Sequence, residues 1–164
     1  EPSRAAAFIS RSCENQSVTL VPGGHAAFLL VALATHALVG YTIGAVALDR
    51  PAAGLVGGVV ADVDLLVPAA VGAPFVHRGL THGLFALVIA TAISLRLSRH
   101  AGAAVALGYC SQLLIDATTP MGIPLFSPLT EAYFGLDIGV GGHSPPATVA
   151  FWIVCLGVLW YARQ

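Results

Sequence analysis

The sequence predicts an all-α fold, a multi-pass transmembrane bundle of about five membrane helices. Hydrophobic residues make up 57% of the 164 residues and charged residues only 9%, with a mean hydropathy of +0.84, whereas soluble domains carry about 25% charged residues. The apolar residues also concentrate in segments near the length of about 20 residues that crosses a bilayer as a helix. These segments are 25–48, 51–70, 81–97, 101–118 and 147–162.

Residues between the segments indicate where the helices begin and end. Asp49 and Arg50 end the first segment, and Pro51 suits the first turn of the second helix. We expect Thr81 to form the N-cap of the third helix and His82 to lie in its first turn. The fifth segment is short, so its helix must include flanking residues.

The rest of the chain divides simply. Residues 1–22 are mixed and polar and lack the long apolar stretch of a signal peptide, so we expect a mobile tail. Residues 23–164 form a single integral membrane domain. Within it, residues 119–146 form a long loop rich in glycine and proline, which we expect to be partly ordered with its aromatic residues at the membrane interface.

Charge excludes some function classes and orients the chain. A net charge of -1 provides no basic field, so nucleic acid is not an expected partner. The three cysteines are far apart and form no CxxC motif, which argues against a zinc-thiolate site.

An up-and-down path places four arginines on one side, which the positive-inside rule makes cytoplasmic. These are Arg50, Arg96, Arg99 and Arg163.

Polar side chains lie at a common depth in four of the segments. Counted from the cytoplasmic side, this depth is roughly 18–24 Å at about 1.5 Å rise per residue, toward the outer leaflet of a core about 30 Å thick. The residues are His36, Asp62, Asp64, His82, Gln112 and Asp116. Because an ionisable group inside a span costs about 2.5–3.5 kcal/mol, we expect these groups to meet in the bundle interior, at a site facing the extracytoplasmic side.

Neutral imidazole and carboxylate together suit divalent transition metals, with zinc or manganese ahead of iron. The candidate ligands are His36, Asp62, Asp64, His77, His82 and Asp116. They suffice for one metal ion, or for two ions that share a bridging carboxylate, as in many phosphoesterases. The alternative is a buried hydrogen-bond network that only holds the helices together.

Asp62 and Asp64 are two residues apart, so a regular helix points them to nearly opposite sides. Both reach one site only where the helix frays, as Pro68 permits. Otherwise one carboxylate binds the metal and the other orients a histidine. Either aspartate is a candidate general base when it is not a ligand.

Arg78 has two interpretations. It is either a clamp that binds an anionic substrate and stabilises developing negative charge, or an interfacial arginine that extends to lipid headgroups. Thr81 and Gln112 are further candidates for substrate binding, and Gln112 lies four residues before Asp116 on the same helix face. Three other histidines lie at helix ends or in a loop and are expected to have no direct role: His25, His100 and His143.

Four stretches carry a family likeness, namely ATHALVG (34–40), ADVDLL (61–66), HRGLTHGL (77–84) and GYCSQLLIDATTPMGIPLFSP (108–128). Their order resembles the TH, PDxD, HRxxTH and SHxxxD…TxxG motifs of the YdjM-like family of LexA-regulated, inner-membrane metal-dependent hydrolases. The likeness covers about 34–128. It implies a multi-pass helical membrane protein with a metal-dependent hydrolase activity. The matched residues are His36, Asp62, Asp64, His77, Arg78, His82 and Asp116.

Two positions depart from the family motifs. Ala61 replaces the proline of PDxD, and Gln112 replaces the histidine of SHxxxD. The amide oxygen of Gln112 is a weak, neutral ligand beside imidazole. This substitution predicts a different metal, weaker binding or lost catalysis if the family histidine is a ligand.

The sequence therefore predicts a membrane-embedded metal-dependent hydrolase that acts at headgroup depth on a lipid-linked phosphate or lipid ester, with membrane lipids as its surroundings. A proton or metal-ion transporter is the alternative, because intramembrane aspartate and histidine chains suit it too. Against it, residues 52–60 and 84–95 are apolar or small, so no relay toward the cytoplasm is visible. A third possibility is a structural membrane protein with a vestigial site, which Gln112 favours.

Overall fold

The computed structural model describes residues 24–67, 77–136 and 141–164. Within these ranges the chain forms five α-helices, which are α1 (Gly24–Leu48), α2 (Pro51–Val59), α3 (Leu84–Leu95), α4 (Arg99–Ala117) and α5 (Pro145–Tyr161). A 3-10 helix (Val60–Leu66) continues α2, and a shorter one (Leu80–His82) precedes α3. The all-α class is confirmed for the described residues. The expected tail, 1–22, lies outside them.

The second apolar segment forms two kinds of helix. Pro51 occupies the first turn of α2, as predicted, but the α-helix ends at Val59 and continues as a 3-10 helix to Leu66. The 3-10 form has about three residues per turn instead of 3.6. It therefore changes the directions in which the side chains of residues 60–66 point.

The start of α3 differs from the prediction. Gly83 is the N-cap, and no side chain caps the helix. Thr81 and His82 lie in the preceding 3-10 turn instead. The predicted Thr81 N-cap is wrong because the Thr81 hydroxyl donates to the Asp64 carboxylate at 2.7 Å.

Glycines allow α1, α2 and α4 to pack with their backbones nearly in contact. A Cβ atom added to Gly58 of α2 would lie 2.4 Å from the His36 carbonyl oxygen of α1, and one added to Gly108 of α4 would lie 2.3 Å from the Gly54 oxygen of α2. Small residues at helix interfaces permit such close approach in membrane proteins. This packing fixes the backbone of His36 against the helix that leads to the aspartates.

The outer surface of the bundle is strongly apolar. α3 buries none of its residues completely, and α5 buries only Cys155. Large side chains such as Ile93 and Ile153 are 66% exposed. Among the described residues, one helical stretch, Ala27–Leu48, is both long and apolar enough to cross a membrane, while α3 and α5 are apolar but shorter.

The segment that follows α4 folds back onto the bundle. Ile123 and Phe134 exchange backbone hydrogen bonds of 2.9 and 2.8 Å, and the Leu136 N–H donates to the Ala117 oxygen at the end of α4. The Leu125 oxygen accepts from the Leu84 N–H at the start of α3. The described part of the long loop is thus ordered, and it closes the end of the bundle that carries the polar cluster.

Candidate metal centre

Ionisable side chains from four parts of the fold meet in the interior, as their common depth predicts. His36 belongs to α1, Asp116 to the last turn of α4, Asp62 to the 3-10 helix after α2, and His82 to the turn before α3. The His82 Nε2 atom lies 3.4 Å from Asp62 Oδ1 and 3.4 Å from Asp116 Oδ2. The His36 Nε2 atom lies 3.6 Å from Asp116 Oδ1. These side chains are between 0% and 8% exposed.

Two of these atoms face each other without a hydrogen bond. His82 Nε2 and Asp116 Oδ2 are both buried, and neither has a partner among the described residues. Buried polar atoms are normally paired, so this pair is where a bound cation would satisfy both atoms. Two ligand atoms each about 2.1 Å from a tetrahedral metal lie about 3.4 Å apart, which matches both His82 contacts.

Asp64 holds its neighbours in place. Its Oδ2 atom accepts from the Thr81 hydroxyl (2.7 Å) and the Arg78 backbone N–H (3.0 Å), and it lies 3.1 Å from His82 Nδ1. Its Oδ1 atom lies 3.0 Å from His77 Nδ1. The His82 Nδ1 atom also lies 3.2 Å from the Thr81 hydroxyl, so a proton on Nδ1 has oxygen atoms beside it and leaves the His82 Nε2 atom free to bind a metal.

The 3-10 helix explains how two aspartates so close in sequence share one imidazole. Asp62 approaches the Nε2 side of His82, and Asp64 approaches the Nδ1 side. The expected departure from α-helical geometry is therefore present, and it begins at Val60. Pro68, to which the sequence attributes it, lies outside the described residues.

Arg78 is buried in the centre, at 7% exposure, so the alternative in which it extends to lipid headgroups is wrong. Its guanidinium donates to Asp116 Oδ1 at 2.9 Å and to the Thr119 hydroxyl. Its backbone has a positive φ of 60° and is held by Asp64 and by the Tyr133 hydroxyl, which donates to the Arg78 oxygen at 3.2 Å. Burial raises the pKa of the Tyr133 phenol, while the Arg78 charge opposes that shift.

His143 belongs to the cluster, although its position in the sequence gives no sign of a role. Its Nε2 atom lies 2.9 Å from Asp116 Oδ1, and its ring stacks edge-on to His36 with centroids 5.0 Å apart. The Gly142 N–H donates to the Thr118 hydroxyl at 2.9 Å, which fixes this segment against α4. His143 precedes α5 in a glycine-rich segment, and only the packing of distant segments brings it to Asp116.

The other predicted residues lie beside this centre. His77 lies at the edge, with its side chain 34% exposed and directed to Asp64. The Thr81 hydroxyl donates to Asp64, and the backbone oxygen of Thr81 accepts a hydrogen bond from the Tyr109 hydroxyl. Gln112 is fully buried, and neither of its amide atoms has a partner among the described residues. Substrate binding by Thr81 and Gln112 stays a prediction.

A cavity of about 30 Å³ lies at the centre of the cluster. Its volume is sufficient for an ion or a water molecule. Its polar lining consists of His36, Asp62, His77, Arg78, Asp116 and His143. Its apolar lining consists of Phe28, Leu29, Ala32, Leu33 and Leu65. The cavity therefore has a charged floor and a hydrocarbon wall.

The donor set and charge of the cluster suit a divalent cation. Two groups each bring three ligand atoms within 4.8 Å of one another, Asp62 with His77 and His82, and Asp116 with His36 and His143. The cluster contains three buried carboxylates and one guanidinium, so two negative charges are uncompensated when the imidazoles are neutral. Buried charge of this kind is tolerated when a cation pairs with it.

Comparison with known proteins places the chain in a family. Residues 31–164 match the family model described as YdjM inner membrane protein. No curated protein and no solved structure matches the chain. The membrane location in the family description agrees with the apolar outer surface of the bundle. Since the match extends over most of the sequence and includes every residue of the cluster, the chain belongs to the YdjM inner membrane protein family.

Proposed function

We propose that the chain is a multi-pass membrane hydrolase that uses a divalent metal ion, zinc or manganese, bound by Asp62, His82 and Asp116. One observation carries the proposal. His82 Nε2 and Asp116 Oδ2 face each other 3.4 Å apart in a buried, negatively charged centre, and neither atom has a hydrogen-bond partner among the described residues. One imidazole and two carboxylates form a ligand set that both metals accept. Gln112 lies outside this ligand set, so its replacement of a family histidine leaves the set complete.

When bound, such an ion polarises an ester oxygen and makes a water molecule acidic enough to react near neutral pH. Asp62 is the candidate base, because it lines the cavity and has a second carboxylate oxygen available for a proton. Asp64 is unsuited to that role since four donors surround it. Arg78 lines the cavity and has N–H groups beyond those bound to Asp116 and Thr119, which suits it to an anionic substrate.

The two-sided lining of the cavity supports an amphiphilic substrate. Phe28, Leu33 and Leu65 form an apolar wall beside the charged groups. Phe28 is 50% exposed on the outer surface of α1, so the wall continues toward the surroundings of the bundle. A lipid-linked phosphate or a lipid ester has a polar head that suits the charged side of the cavity and an apolar chain that suits the apolar side.

Helix lengths and charges support a multi-pass arrangement. α4 has 19 residues and α5 has 17, which at about 1.5 Å per residue gives roughly 28 and 25 Å. α2 with its 3-10 extension reaches about 27 Å. These lengths approach the hydrocarbon thickness of about 30 Å. Four exposed arginines lie at the helix ends opposite the site, which supports an extracytoplasmic site. They are Arg50, Arg96, Arg99 and Arg163.

The test is hydrolysis in mixed micelles by the purified full chain. Lipid phosphates and lipid esters are offered with and without a chelator. We expect turnover that the chelator abolishes and that zinc or manganese restores. Asp62→Asn should lower turnover at least about 100-fold, because it removes a metal ligand and the candidate general base together. Asp49→Asn is the matched control, because Asp49 is 99% exposed at the opposite end.

A transporter is the competing function, and the same preparation distinguishes it. The glycine contacts between α1, α2 and α4 close the described interior on the arginine side of the site, which favours an enzyme over a path for ions. Proton or metal flux in liposomes, together with absence of turnover on every ester, would overturn the hydrolase proposal.

A further inference from the structure

The carboxylate of Asp116 faces different imidazoles with its two oxygens. Oδ2 lies 3.4 Å from His82 Nε2, on the side of Asp62. Oδ1 lies 2.9 Å from His143 Nε2 and 3.6 Å from His36 Nε2, and it accepts the Arg78 hydrogen bond at 2.9 Å. Asp116 thus connects the two groups of ligand atoms, each of which contains two imidazoles and one carboxylate.

The second group is better enclosed than the first, in which the His77 side chain is 34% exposed. The side chains of His36, Asp116 and His143 are 2%, 3% and 9% exposed, and they come from α1, α4 and the segment before α5. The Thr118 hydroxyl holds the neighbouring Gly142, and the His36 backbone is packed against Gly58. These anchors hold the three ligand atoms near one another without requiring a metal to assemble them.

We propose that His36, His143 and Asp116 hold a second divalent metal ion, so that the centre is dinuclear with Asp116 as the bridging carboxylate. The proposal rests on the proposed function and extends it. Two imidazoles and a carboxylate oxygen within 4.8 Å form a donor set typical of zinc and manganese. Pairs of such ions about 3.5–4 Å apart are a common arrangement for phosphate-ester hydrolysis.

Charge then selects the substrate class. A first divalent ion compensates the two excess negative charges of the cluster, and a second leaves two positive charges in a buried cavity. An unpaired buried charge is costly, so the ligand that fits best is a dianion. A phosphate monoester with an apolar anchor therefore fits the cavity better than a neutral lipid ester, which has no charge to offer.

Metal stoichiometry tests the dinuclear centre. The full chain in detergent is dialysed against Mn²⁺, bound metal is counted by elemental analysis, and spin coupling is read by electron paramagnetic resonance. We expect two ions per chain and the signal of a coupled pair. His143→Ala and, independently, His36→Ala should each retain one ion and lose the coupling. His100→Ala is the matched control, since His100 is exposed at the start of α4, and it should retain both ions.

The outcomes separate the two proposals. One ion per chain in the unaltered protein overturns the dinuclear centre but leaves the hydrolase proposal intact. No bound ion overturns both. Inorganic phosphate serves as the probe for the charge argument: its affinity for the manganese-loaded chain should fall at least about tenfold in His143→Ala, and equal affinity would contradict the assignment of a dianionic substrate.

Discussion

Asp62 and Asp64 contact the same imidazole but have different surroundings. Asp64 accepts hydrogen bonds from Thr81 and the Arg78 backbone and lies against two imidazoles, so we propose that it orients them. Asp62 instead lines the cavity. The pattern of the sequence predicts that both belong to one site, but helix periodicity leaves open which one is the ligand. Only the 3-10 geometry of residues 60–66 favours one assignment.

This division of roles predicts different effects for the two amides. Asp64→Asn keeps the shape of the side chain but loses the charge that holds His82, so the metal should still bind with an affinity about 10–100-fold lower. Asp62→Asn should remove a ligand and lower the occupancy of the site directly. The measurement is competition with a chromophoric chelator, and Asp49→Asn serves as the unaffected control. Equal affinities for Asp64→Asn and the unaltered chain would contradict the orienting role.

At the scale of helices, periodicity and apolar length predict the elements to within a few residues. The predicted segment 25–48 corresponds to α1, and 101–118 corresponds to α4. The predicted helix boundaries are wrong where the local preference of a residue competes with a tertiary contact. Thr81 suits an N-cap by residue type, yet its hydroxyl is bound to Asp64, and Gly83 begins α3. Such contacts depend on segments far apart in the sequence, so a local pattern does not predict them.

Close packing of α1 against α2 is an element-scale property with its own test. Gly58→Ala would place a Cβ atom 2.4 Å from the His36 oxygen, which forces the helices apart at a cost of about 1–3 kcal/mol. The variant should show a lower thermal midpoint in detergent and weaker metal binding, because His36 moves with α1. Gly157→Ala, which meets no atom within 4 Å, should be neutral or stabilising. Equal midpoints for both variants would show that the glycine contact is unimportant.

At the scale of the whole molecule, composition and depth predict more than motif spacing does. The low charge content and the five apolar segments predict an all-α membrane protein, and equal distances from the arginine side predict that His36, His82 and Asp116 meet. Depth does not predict the position of His143, because this residue lies outside the predicted membrane segments. It reaches Asp116 only through the fold of the segment before α5. Equal depth along the helices therefore predicts where the site lies but does not predict every residue that belongs to it.

The proposed topology predicts opposite accessibility for two exposed leucines. Leu97 lies between α3 and α4 on the arginine side and is 83% exposed, while Leu129 lies in the loop at the site end and is 91% exposed. In a background in which Cys13, Cys110 and Cys155 are serine, Leu129→Cys should react with a membrane-impermeant maleimide in intact spheroplasts. Leu97→Cys should react only after permeabilisation. The reverse pattern would invert the topology and place the site on the cytoplasmic side.

The most direct test of the central claim is the metal content of the chain purified from its membrane without a histidine tag. If the clustered carboxylates and imidazoles bind a divalent cation, elemental analysis should find at least one zinc or manganese ion per chain. His82→Ala should bind about one ion fewer per chain than the unaltered protein, while His100→Ala should leave the content unchanged. An unaltered chain that carries no metal, and that takes up no more zinc or manganese than His82→Ala does, would contradict the account.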